Sequence, residues 1–306
     1  MLKRAGAGSG AKRIGSDGVQ ELETKLIIAG IHMTATLLAT KRVEKPWGRH
    51  TLFPGFPDPS PDGEPIGEVW FQSPHPDEPE MLIKYLFTSE KLSIQNHPSD
   101  EEAHKRGLPR GKDECWLILD AEPDSTIAIG PKQTMTPEEL RESALDGSIE
   151  DKLDWKPVKA GDFYYSHSGV IHAIGAGLTL IEVQQNSDTT YRLYDYGRPR
   201  ELHLDDGVAV ADLEPYIAPL RPGMVEPGRN ILVEGPKFVL ERWNGGKRQI
   251  NLPEGKPGWL VPIRGKGVVG GVEWRAGECV MVTGSELLHA SEDADLLFAY
   301  TGTKRL

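Results

Sequence analysis

Four side chains stand out in the 306-residue sequence for what they could bind together: Gln95, His97, Glu114 and His172. Gln95 and His97 sit two apart in Leu92–Pro98 (LSIQNHP), whose alternation reads as a strand with Ser93, Gln95 and His97 on one face. Lys112 and Glu114 repeat that spacing in GKDECW, where the next apolar strand begins. His172 follows a glycine-rich turn in Gly161–His172 (GDFYYSHSGVIH), at a strand start. Two imidazoles, a carboxylate and an amide oxygen suit Zn²⁺, with positions left open for water or substrate. The same donors could equally hold Fe²⁺, Mn²⁺ or Co²⁺. A lone strand histidine is more often a core or surface residue than a ligand. The spacing is what makes this set a metal candidate.

The elements that would carry these residues are mostly strands. Short alternating or apolar runs recur at Val43–Phe53, Ile66–Ser73, Leu82–Thr88, Glu114–Leu119, Thr126–Ile129, Trp155–Tyr165, Ile171–Ala173, Thr179–Gln185 and Tyr191–Gly197. The 34 glycines and 24 prolines fit many strands joined by turns. Asp100–Arg106 reads as a short charged helix. Thr136–Asp146 reads as a longer one, with Thr136 as N-cap, Pro137 at the first helical position and Glu139 completing a capping box. Asp205–Pro227 is proline-rich and marks a domain boundary. Beyond it, Phe238–Trp243, Trp259–Arg264, Gly267–Trp274, Glu278–Thr283 and Leu296–Thr301 suggest a second antiparallel barrel or sandwich. Residues 1–40 read as an extension, disordered at least over Met1–Gly18, with Met33 an alternative start.

The net charge of −11 argues against a general nucleic-acid binder and against an anionic membrane surface. It leaves room for an anionic small substrate, because clustered Lys and Arg can dominate locally. Two cysteines, Cys115 and Cys279, each inside an apolar run, point to a reducing cytoplasm. Leu26–Gly30 is too short to span a bilayer. His32, His50, His75, His104 and His203 fall outside the ligand spacing. Trp47, Trp70, Trp116, Trp243, Trp259 and Trp274 read as core.

Gly161, His167, Gly169 and His172 have the spacing of the second cupin motif, with His167 where proline is usual. The first cupin motif, usually H-x-H, resembles Q-x-H here, with its carboxylate displaced to Glu114. Together with VEKPWG at Val43–Gly48, LIK at Leu82–Lys84 and IEVQQNSDTTYRLYD at Ile181–Asp195, these stretches resemble the type I mannose-6-phosphate isomerases. The resemblance covers roughly residues 41–200. It implies a mainly β protein of two cupin (jelly-roll) barrels: a catalytic one over 41–225 with a helical insertion at about 136–152, and a cupin-like one over 226–306 without metal. It implies one Zn²⁺ per chain on Gln95, His97, Glu114 and His172. Arg192, Lys112 and Glu182 then serve catalysis, and Lys84, Asp188 and Arg192 bind substrate. The implied reaction interconverts mannose 6-phosphate and fructose 6-phosphate through a cis-enediol. A metal-binding cupin that binds a sugar phosphate without turning it over is the alternative. In the second half His289 falls one position late for the motif, and no Q-x-H or H-x-H precedes it. The usual QVHP has become QNHP, so Asn96 replaces a core valine beside the ligands.

Overall fold

The structure is a computed structural model and describes residues 34–52, 55–74, 79–218 and 223–306. Residues 1–33 of the expected extension lie outside these, as do His32, Met33 and His75. The ordered pattern starts earlier than Lys41. Ala35–Leu37 is a strand, antiparallel to Val280–Val282 of the distant C-terminal half. A three-residue strand paired across the whole chain carries no local signal.

Strands dominate, as expected, and fall into three antiparallel sheets. A six-stranded sheet runs in the order Ala39–Arg49, Ile66–Gln72, Met81–Thr88, Leu178–Gln185, Glu114–Ala121, Phe163–Ser166. A five-stranded sheet runs Tyr191–Tyr194, Ile94–Asn96, His172–Ile174, Thr126–Pro131, Leu153–Pro157. Leu86, Trp116, Ile118 and Leu180 of the first sheet and Ile127, Ile129 and Ile174 of the second form one apolar cluster between them. Burying each such side chain is worth about 1.5–3 kcal/mol. The third, nine-stranded sheet is built around two long strands, Phe238–Asn251 and Ser285–Thr301. A second cluster joins the halves: Ile83, Tyr85 and Val183 meet Val261, Leu297 and Ala299.

Several expected strands came out differently, three of them for a local reason. Trp155–Tyr165 is two strands, Leu153–Pro157 and Phe163–Ser166, split by a turn in which Asp162 accepts from the Lys159 amide and Gly161 sits at φ 91°. Gly267–Trp274 is a hairpin, Lys266–Val269 and Val272–Arg275, turning on Gly270 and Gly271 at φ 53° and 79°, the positive range that a tight hairpin requires. Phe238–Trp243 extends to Asn251 through a bulge near Gly246. The expected helices are present. Thr136 and Glu139 form their reciprocal capping box, and Pro137–Asp146 buries Leu140 and Ala144 against Ile94, Ile171 and Leu193. Ile149–Lys152 completes the insertion. A helix at Leu204–Val210 was not expected. Asn96 explains its seat: the buried amide donates to the Gly207 carbonyl at 2.8 Å, a bond that valine could not make.

Candidate active site

Strand register assembles the site. In the five-stranded sheet His172 lies opposite Gln95, and Gln95 lies opposite Arg192 on its other side, so three neighbouring strands present one row. In the six-stranded sheet Glu182 lies opposite Lys84 on one side and Trp116 on the other, while Gln184 pairs Glu114. Across the gap the two rows meet, with His172 Nε2 3.1 Å from Glu114 Oε1. The turn before His172 is pinned to the other ligand stretch: Asp113 accepts from the Tyr165 hydroxyl at 2.5 Å and the Ser168 amide at 3.0 Å, and the Gly169 amide donates to the His97 carbonyl.

His97, Glu114 and His172 are buried, and one ligand-type atom from each lies within 4.8 Å of the others. Both imidazoles are oriented from behind. His97 Nδ1 is 2.9 Å from the Thr189 carbonyl and His172 Nδ1 is 2.9 Å from the Val170 carbonyl. A carbonyl only accepts, so each Nδ1 carries a proton and donates outward, which turns each Nε2 inward. His97 Nε2 is buried, 3.5 Å from Glu114 Oε2, and has no hydrogen-bond partner among the described residues. Burial and the Lys112 charge hold the His97 imidazole neutral, down to about 3. Glu114 is buried, which alone would raise its carboxyl, but Lys112 at 2.9 Å and the two histidines hold it well below the usual range. Gln95 approaches His172 Nε2 at 3.4 Å and accepts from Ser93 Oγ at 2.9 Å. Two imidazoles, an ionised carboxylate and an amide, with an orphaned nitrogen among them, are donors that fit a divalent cation.

Beside this cluster a cavity of about 370 Å³ opens. Its ionisable lining comprises Lys45, Lys84, Lys112, Arg192 and Arg200 against Glu68, Glu114, Glu182 and Asp188. The wall is thus one charge positive in a chain of net charge −11, before any metal is counted. Lys84 Nζ lies 2.7 Å from Glu182 Oε2 and 3.5 Å from Glu68 Oε2. Burial would lower the Lys84 ammonium, but Glu182 and Glu68 raise it. Burial pushes the Glu182 carboxyl up to about 7 against the pull of Lys84. Glu68 also accepts from Trp70 Nε1 at 2.6 Å and faces Lys45 at 3.4 Å; against the cost of burial, these partners and Lys84 hold it at about 2. On the opposite wall Asp195 is buried between Arg198 and Arg200, which fills its two oxygens at 2.5 and 2.6 Å. Arg192 Nε is 4.0 Å from Asp195, buried, and without a hydrogen-bond partner.

All the expected residues therefore reach one place. Gln95, Glu114, Lys112, Glu182, Lys84, Asp188 and Arg192 line the cavity, and His97 and His172 stand behind it against Glu114. Asp188 is exposed at the rim. Trp47 and Trp116 are buried in the apolar cluster as expected, Trp47 with an edge on the cavity, whereas Trp70 is partly exposed on the cavity wall, with Lys41 and Lys84 over its ring at 5.3 and 5.8 Å. Glu68, Ser93 and Arg200 were not singled out. Ser93 shares the Gln95 face in the alternation; Glu68 and Arg200 carry no signal short of tertiary structure.

No protein-family model matches the chain. It is 39% identical over 195 residues to a mannose-6-phosphate isomerase of Bacillus subtilis (strain 168), a match covering 60% of this chain and 61% of that relative, less than two thirds of its length. It is 32% identical over 244 residues to YvyI of the same strain, which carries a provisional mannose-6-phosphate isomerase name, covering 66% of this chain and 76% of that one. The crystal structure of the mannose 6-phosphate isomerase from Bacillus subtilis superposes with TM-score 0.75 at 26% identity, over 87% of this chain and 99% of that one. By sequence and by fold alike, the chain belongs to the mannose-6-phosphate isomerase family.

Proposed function

We propose that this chain is a zinc-dependent aldose–ketose isomerase that interconverts mannose 6-phosphate and fructose 6-phosphate through a cis-enediol. One observation carries the reading: the His97–Glu114–His172 cluster, the Glu182 carboxyl and an arginine wall meet at a single cavity. Gln95, His97, Glu114 and His172 would hold one Zn²⁺ per chain. The bound ion supplies Lewis-acid stabilisation of negative charge on substrate oxygens.

The chain's own groups do the rest. Arg192 suits the phosphate, because a guanidinium fork binds oxyanions bidentately. Asp195 occupies Arg200, whereas Arg192, anchored by its Nη1 on the Glu201 carbonyl, leaves its buried Nε–H without a hydrogen-bond partner among the described residues. Lys84 holds Glu182 in place from the neighbouring strand, and Asp188 at the rim can accept from sugar hydroxyls. The proton moving between C2 and C1 passes through Lys112 or Glu182, both buried and both on the cavity wall. The architecture we infer is two cupin barrels, 41–225 carrying this site and 226–306 supporting it without metal. The partner is a small sugar phosphate, handled in the cytoplasm.

A coupled assay from mannose 6-phosphate to fructose 6-phosphate, with and without chelator, tests this. Activity should vanish on chelation and return with one equivalent of zinc per chain. His97→Ala should lose the metal and cost on the order of 10³-fold or more in rate. Full activity in metal-stripped protein would refute the reading, and two equivalents of zinc would refute a silent second half.

A further inference from the structure

Between His97 and Glu114 the chain leaves the cavity, runs through the helix Asp100–Lys105 and returns at Gly111. The return is tight. The Lys112 amide donates to the Pro98 carbonyl at 3.0 Å, and a side chain on Gly111 would meet that carbonyl at 2.5 Å. The Gly111 amide itself donates to Asp100 Oδ1 at 2.8 Å. Gln185 Nε2 reaches the same oxygen at 3.0 Å, and Gln185 Oε1 takes the Asp113 amide at 2.9 Å. One carboxylate thus sets both residues that precede Lys112 and Glu114 in the return. Its other oxygen is held from outside: Lys237 Nζ, in the C-terminal half just before the strand Phe238–Asn251, lies 2.5 Å from Asp100 Oδ2.

We propose that Lys237 is a positioning residue for the candidate metal site, acting from the other half of the chain through Asp100 and the Gly111 return on Lys112 and Glu114. Its effect on metal and rate rests on the isomerase reading above; its effect on the loop rests on geometry alone. The Lys237 and Asp100 side chains are 28% and 32% exposed, so the pair itself adds little stability. An Asp100 carboxylate released by Lys237 can swing to water, and the Gly111 amide and Gln185 then lose their common acceptor. Loss of Lys237 is therefore read in the order of the return loop, not in global stability. Lys256 and Glu80, 3.1 Å apart and also joining the two halves, form no side-chain hydrogen bond with Asp100, Gly111, Gln185 or Lys237 among the described residues and serve as the control pair.

The test uses the full chain with Lys237→Met, Lys237→Arg and Lys256→Met. Amide hydrogen exchange at Gly111 and Lys112 is measured first, without metal or substrate. In Lys237→Met it should speed up by about tenfold or more while the melting temperature stays within about 2 °C. Zinc affinity, by chelator competition, should fall by roughly tenfold, with a several-fold loss of kcat at saturating zinc and little change in KM. Lys237→Arg should restore all three readings, and Lys256→Met should move none. Wild-type exchange at Gly111 in Lys237→Met would overturn the proposal. So would faster exchange with zinc affinity and kcat unchanged in protein that binds zinc and turns over. If wild-type protein neither binds zinc nor isomerises, the isomerase reading falls, and the exchange measurement still decides whether Lys237 orders the loop.

Discussion

The two halves of the molecule contain the same local device put to different ends. In each, a buried strand glutamate accepts from the indole N–H of the tryptophan two residues on: Glu68 from Trp70 at 2.6 Å, Glu241 from Trp243 at 2.7 Å. Each lies beside a cavity of about 370 Å³. Around Glu241 the remaining valences are filled. Arg229 binds both oxygens, at 2.5 and 2.8 Å, and the Tyr300 hydroxyl adds a bond at 2.7 Å. Around Glu68 the cations stand off at 3.4 and 3.5 Å, and one of them, Lys84, is shared with Glu182. The C-terminal cavity has no histidine in its lining, whereas the N-terminal one backs onto two. A buried charge whose partners are saturated holds structure together. One whose partners are shared and whose neighbours include an orphaned donor atom leaves interaction energy to spend on a ligand.

Replacing each carboxylate by its amide separates these two uses. Glu241→Gln should have the larger effect, about 3 kcal/mol of stability, because it leaves the Arg229 charge without its bidentate partner. Urea unfolding would read that loss, and turnover per folded molecule should stay within twofold. Glu68→Gln should differ in what else it costs: beyond the stability that its depressed carboxyl contributes, kcat falls by roughly tenfold because Lys84, and through it Glu182, loses a neighbour. A Glu68→Gln protein that is as active as wild type but much less stable would erase the distinction between the two halves.

How much of this was legible beforehand follows from distance along the chain. Period-two spacing exposes Gln95 with His97 and Lys112 with Glu114, because a strand converts that spacing directly into a shared face. The capping box at Thr136 and Glu139 is likewise a local rule and came out as read. What joins Gln95 to His172 and Arg192 is register between strands up to about a hundred residues apart, and only the resemblance to a known family could supply it. Trp70 was misjudged because core and cavity wall look alike in a strand pattern. Arg200 and Lys237 were missed because each acts through an aspartate, Asp195 and Asp100, that the fold brings to it. The Gly270–Gly271 hairpin was the avoidable miss, since two adjacent glycines between alternating runs are a turn signal in their own right.

The smallest effect expected sharpens the comparison through pH. Burial alone would raise the Glu241 carboxyl, but the bonds from Arg229, Trp243 and Tyr300 hold it below its ordinary value. An unfolded glutamate titrates near about 4.3. A group whose folded value is depressed contributes stability that is complete above the unfolded value and is lost as pH falls through the folded one. The stability gap between wild type and Glu241→Gln should therefore be constant from pH 7 down to about 5, then narrow as the medium is acidified further, because the amide has no proton to take up. Urea midpoints across that range would show it. A gap that stays constant below the unfolded value would mean that the Glu241 carboxyl is not held below its ordinary value in the folded protein. The Arg229–Glu241 pair would then add no net charge–charge stabilisation to folding, and the contrast with Glu68 would rest on geometry rather than on charge.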